Sequence, residues 1–148
     1  MASIDIHFPI ITELAKKSRI IVEIGVHRAN TTKAILQVIN DTSSKLISID
    51  KENPIDFKSN SPQWTFIKCD CVNYSISLPI HFLLIDCDPD PVLLLKILEI
   101  YGKKVKNYIF IHDTLPLLEL PIMAWAIENN FNVLILDRRF PGCIVLEK

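Results

Sequence analysis

Apolar residues fall along this chain in short blocks of two kinds. Seven blocks are rich in Ile, Val, Leu and Phe and nearly continuous: Arg19–Ile24, Lys45–Asp50, Trp64–Lys68, His81–Asp86, Asn107–His112, Phe131–Leu136 and Cys143–Glu147. Runs of that length with little polar alternation suit strands buried on both faces, as in a parallel sheet. Four segments between them read as helices: Pro9–Lys17, Thr31–Ile39, Pro91–Tyr101 and Leu117–Asn129. The third has a proline at its start and Gly102 just past its end, both boundary signals. The link from Lys51 to Pro62 is polar, carries two prolines and is expected to hold one short turn or nothing regular.

Strands alternating with helices predict a doubly wound α/β fold. The C-terminal stretch NVLILDRRFPGCIVLEK departs from that rhythm. Its two strand-like runs are joined by a loop too short for a crossover helix, so they form a hairpin and one strand runs antiparallel to the rest. With no internal repeat and no compositional break, residues 1–148 read as a single domain.

Composition narrows the classes. Hydrophobic residues make up 49% of the chain, enough for a large core. No apolar run has the length of a membrane span, and the opening MASIDIHFPI lacks the basic flank and apolar stretch of a signal peptide, so a cytoplasmic protein is expected. A net charge of −1 gives no electrostatic footprint for nucleic acid. Cys69, Cys71, Cys87 and Cys143 form no CxxC pair and read as reduced, buried thiols.

Ligands of open α/β sheets bind beyond the carboxyl ends of the strands. At those ends stand Gly25, Val26 and His27 after the first strand, Asp50 on the second, Asp70 after the third, Asp86 and Asp88 at the fourth, and His112 and Asp113 at the fifth. Gly25 allows a tight turn and the close approach of a ligand. Asn30 or Thr31 can cap the helix that follows. The second and third glycines of a dinucleotide fingerprint are replaced by His27 and Asn30, which disfavours a pyrophosphate. Asp50 lies about 25 positions after Gly25, near the spacing of an acidic residue that binds ribose hydroxyls. The pair suits a nucleoside with a small carboxylate-bearing tail, such as S-adenosylmethionine, whose ammonium Glu23 could help to hold.

The segments VEIGVHRANTT, ISIDKE, FIKCDC, FLLIDCDPD and YIFIHDT, in that order, resemble the successive motifs of class I S-adenosylmethionine-dependent methyltransferases. The nearest pattern is a small group that includes catechol-type O-methyltransferases and cephalosporin-hydroxylase-like proteins. The resemblance runs from Arg19 to the end. It implies a mostly parallel seven-stranded sheet of order 3-2-1-4-5-7-6 with helices on both faces. It also implies that Gly25, His27, Asn30 and Thr31 line the methionine end, that Asp50 with Lys51 holds the ribose, and that Asp70 and Cys71 lie near the adenine. Asp86, His112 and Asp113, with Asp88 as a spare, match the positions at which metal-dependent members bind a divalent ion such as magnesium. Those three are also the candidate catalytic residues. The implied reaction is methyl transfer to an oxygen of a small molecule or sugar.

This chain departs from the pattern where Ala29 and Asn30 replace glycines, where Pro89 replaces a histidine, and where a basic residue near that point is missing. His112 could act as the base, though not as base and metal ligand together. These departures keep a second reading open: a methyltransferase-like binding or regulatory protein without catalysis. About eighteen residues precede the first strand and no long insertion is present. The site is then expected to be open, or completed by a second subunit of a homo-oligomer. A different α/β enzyme ranks last, because no nucleophile elbow appears. Asp70 could equally be a plain turn residue. His7 and His81 carry no signal, and Arg138 and Arg139 read as a charged hairpin tip.

Overall fold

The computed structural model describes residues 4–148. The seven apolar blocks form seven strands: β1 (Ile20–Ile24), β2 (Lys45–Asp50), β3 (Trp64–Lys68), β4 (Ile80–Ile85), β5 (Val105–His112), β6 (Asn132–Asp137) and β7 (Cys143–Glu147). They build one sheet of order β3-β2-β1-β4-β5-β7-β6, the predicted order. β7 runs antiparallel to both β5 and β6, as the short terminal loop requires.

Burial on both faces follows from side chains alternating along each strand. In β4, Phe82 and Leu84 join one core cluster while Leu83 and Ile85 join the other. The first cluster packs under α1 (Phe8–Lys16) and α2 (Asn30–Ile39), through Ile11, Leu14, Ile35 and Ile39. The second packs under α3 (Pro91–Ile100) and α4 (Glu119–Glu128), through Leu94, Ile97, Ile122 and Trp125. A strand covered on both sides needs no polar face, which is why these blocks are almost uninterrupted.

Local chemistry sets the helix ends, with two departures from expectation. Asp90 caps α3, its carboxylate accepting from the N–H groups of Val92 and Leu93 at 2.7 and 2.9 Å. Neither Asn30 nor Thr31 caps α2. The helix begins at Asn30 after Ala29, which is left-handed at φ 58° and supplies no side-chain bond. Gly102 does follow α3, but as a packing residue: a Cβ there would lie 2.8 Å from the Trp125 ring. The link 51–62 has no helix or strand, as expected.

Gly25 is fixed by the protein's own backbone. It has φ +90°, and a Cβ built on it would lie 2.0 Å from the Asp86 carbonyl oxygen. The expected close approach is therefore made by the neighbouring strand end. Gly25→Ala should destabilise the protein by about 3 kcal/mol or more, since both the backbone angle and the clash oppose a side chain. Urea unfolding checks this; a loss below about 1 kcal/mol would show that the loop and the β4 end separate easily.

Candidate functional site

A cavity of about 550 Å³ opens beyond the carboxyl ends of β1 to β5, within the range of small-molecule sites. Gly25, Asp50, Asp70, Asp86, His112 and Asp113 all line it, as do His27, Asn30, Thr31, Lys51, Cys71 and Asp88. The predicted residues thus meet at one edge, with one exception. Glu23 is fully buried and is not part of the lining. It points along its strand face into the structure, where Thr32 and Ser48 donate to its Oε2 at 2.7 and 2.6 Å.

Asp50 holds the loop after β1. The N–H groups of Val26 and His27 donate to its Oδ2 at 2.7 and 3.2 Å, and that of Glu52 donates to its Oδ1 at 3.0 Å. Burial alone would push this carboxyl up, but the surrounding backbone N–H groups outweigh it and hold it below the usual range. A carboxylate offers about four lone-pair sites. Three are taken by these bonds, and the Lys51 N–H also bears on the carboxylate.

Asp70 caps the short 3-10 turn Cys71–Asn73 by accepting from the Val72 N–H at 3.2 Å, and pairs with Lys51 at 3.4 Å. The plain turn role and a place on the cavity wall therefore coexist. The cavity cysteines offer no reactive thiolate. Burial pushes the Cys69 and Cys71 thiols up and takes Cys87 to about 12.

At the β4 and β5 ends, His112 is buried, with Nδ1 3.0 Å from Asp86 Oδ1 and 3.4 Å from Asp113 Oδ1. Burial raises the Asp113 carboxyl; His112 opposes that shift and Asp86 adds to it. Asp113 is left-handed at φ 54°, as are His27 and Ala29 in the loop after β1. Asp86, His112 and Asp113 present donor atoms within 4.8 Å of one another, while Asp88 lines the cavity outside that group. As a magnesium site the group is poor. An imidazole nitrogen suits this hard ion poorly, and an ion on Nδ1 would displace the hydrogen bond to Asp86.

The sequence reading assigned no chemistry to His7, which is fully buried beside Asp137 and Cys143. His7 lies outside the strand pattern and gave no periodic signal. Asp137 and Cys143 are cross-strand partners, a pairing that the hairpin loop alone would have predicted.

No protein-family model matches the sequence, and no curated protein matches it. Solved structures do match. A 1,6-didemethyltoxoflavin-N1-methyltransferase of Burkholderia thailandensis, solved with S-adenosylhomocysteine, superposes with TM-score 0.74 at 10% identity, over 99% of this chain and 78% of that one. The pyocyanin biosynthetic protein PhzM gives 0.70 at 14% identity, over 97% of this chain, which spans only 55% of PhzM. An S-adenosylmethionine-dependent O-methyltransferase of Thermotoga maritima gives 0.68 at 12% identity, over 100% of this chain and 66% of that one.

Glu23 provides a test of how this site sits on its core. Burial, opposed by the Ser48 and Thr32 hydroxyls and assisted by Asp86 and Asp50, raises its carboxyl to about 7. The native state then binds the proton that the unfolded chain releases above about pH 4.3. Stability should therefore fall as pH rises from about 4.5 to 7 and be flat in this respect above that. Glu23→Gln should remove the slope, giving similar urea midpoints at pH 5 and pH 8. An unchanged slope would mean that Glu23 is ionised in the folded protein. The strand order, the terminal antiparallel hairpin and the superpositions together give this chain the class I methyltransferase fold.

Proposed function

We propose that the protein binds S-adenosylmethionine in this cavity and transfers its methyl group to an oxygen of a small molecule or sugar. The observation that carries the reading is the placement of Asp50. It closes β2 at the cavity edge, holds the Gly25 loop and presents its carboxylate to the cavity as an acceptor for ribose hydroxyls. The cavity size and the loop beside Asp50 fit a nucleoside with a short tail.

When bound, S-adenosylmethionine would supply an electrophilic methyl, to which an acceptor lone pair bonds in line as the sulfur–carbon bond breaks and S-adenosylhomocysteine leaves. The chain's residues align the partners, which is the main source of rate in such a transfer. Asp113 receives the acceptor's proton, its carboxyl being raised by burial. Asp86 holds His112 through Nδ1 and fixes the wall against which the acceptor lies. Glu23 has no part in this binding.

The near-complete burial of His112 favours a second reading, cofactor binding without turnover, because it leaves the imidazole 4% exposed to any substrate. Calorimetric titration with S-adenosylhomocysteine decides the first step. Binding in the micromolar range is expected, and no binding would overturn both readings. Asp50→Ala should weaken it about tenfold or more, since a ribose hydroxyl loses a charged partner. Unchanged affinity would remove Asp50 from the ribose contact. The same titration should be indifferent to magnesium. A magnesium requirement that disappears in Asp113→Ala would instead place an ion between Asp86 and Asp113.

A further inference from the structure

Behind the β5 wall of the cavity lies a second group of side chains that the methyl-transfer reading does not use. Cys143 on β7 pairs directly with His112 on β5 and with Asp137 on β6, so the three stand on one rung of the sheet and share a face. His7, at the end of the 3-10 turn Ile4–His7 that leads into α1, is laid over that face. It is 0% exposed, and neither ring nitrogen makes a hydrogen bond among the described residues. Its Nε2 lies 3.4 Å from Asp137 Oδ2, too loose and too poorly aligned to count as one. A buried imidazole left this way costs about 1–3 kcal/mol for each unmet polar atom. Such a cost in a packed core points to a missing partner.

We propose that His7, Asp137 and Cys143 bind a transition-metal dication of the zinc type, at a site separate from the methyl-donor cavity. Their donor atoms lie within 4.8 Å of one another. Bonds of about 2.0–2.3 Å to nitrogen, oxygen and sulfur bring tetrahedral ligands to about 3.5 Å, so the group closes by roughly an ångström on binding. Nitrogen, thiolate and carboxylate together select zinc-type ions over magnesium or calcium. Arg139 holds the Asp137 carboxylate from the solvent side. It is an exposed side chain that can yield an oxygen to the ion. The His112 ring packs edge-on against His7 with centroids 5.6 Å apart, and its Nε2 also has no hydrogen-bond partner among the described residues. A further nitrogen thus stands at the margin of the group. Binding exchanges the thiol proton of Cys143 for the metal and releases that proton to solvent, so affinity should rise with pH.

Cobalt(II) titrated into the metal-free protein tests the site through its thiolate-to-metal absorption band. One equivalent should produce the band. Cys143→Ser should abolish it, while a Cys69→Ser/Cys71→Ser/Cys87→Ser protein, with Cys143 as its one thiol, should retain it. An Asp86→Asn/Asp113→Asn protein should also retain it, which separates this site from the cavity group. Zinc should raise the thermal midpoint of the wild type and leave that of His7→Ala unchanged. Absence of the band from the wild type, or its loss from the triple serine protein while that protein remains folded, would overturn the proposal. So would a band that survives Cys143→Ser. Should Cys143→Ser not fold, the triple serine protein and the zinc effect on His7→Ala still decide.

Discussion

The contact on which the site depends is the approach of the Asp86 backbone to Gly25. The first strand must turn sharply at its end, and the fourth passes so near that no side chain fits between them. The ladder on either side fixes this meeting: Gly25 donates to Ile49 on β2, and Asp86 donates to Ile24 on β1. Three strand ends are thereby tied at one point. Asp50, Asp86 and the left-handed turn through His27 and Ala29 inherit their positions from that knot. Ala29 accepts a conformation that costs an L residue about 1 kcal/mol, because it is buried in a turn determined from both ends.

Beneath the knot the core is polar where an apolar one would be simpler. Glu23 sits in the middle of the sheet with two hydroxyl partners and one oxygen, Oε1, without any. Ser48 also accepts from the Trp64 indole, so the buried carboxyl, β2 and the β3 edge are linked by one chain of hydrogen bonds. Such networks are costly when incomplete and confer a single arrangement when satisfied. Glu23 thus supports the binding edge from below.

Much of this was legible in the sequence. Doubly buried strands leave uninterrupted apolar runs, and the terminal pair with Pro141 and Gly142 between them could only be a hairpin, so the antiparallel direction followed from the residues, while the strand order was implied by the family resemblance. Aspartates at strand ends converge because all strand ends of a parallel sheet meet at one edge. What stayed hidden depends on side-chain direction. Glu23 looked like a ligand contact because it is acidic and near Gly25, but alternation turns it away from the cavity. Gly25 looked like room for a ligand, and only the register of β4 shows that the protein's own backbone fills it. His7 precedes the first strand by a helix, and no local pattern can tell that it folds back over β7.

The hairpin at the end of the chain has a consequence for inheritance and engineering. Because faces alternate residue by residue, β7 works as a two-position ratchet: Cys143 and Val145 face α1, while Ile144 and Leu146 face the opposite layer. Adding one residue inside β7 would exchange those sets. Adding one in the exposed tip around Arg138 and Arg139 leaves the register of β7 against β5 intact. The same hairpin therefore offers a tolerant place for insertion, four positions before the start of a strand where a single insertion undoes both the core and the rung of His112, Cys143 and Asp137.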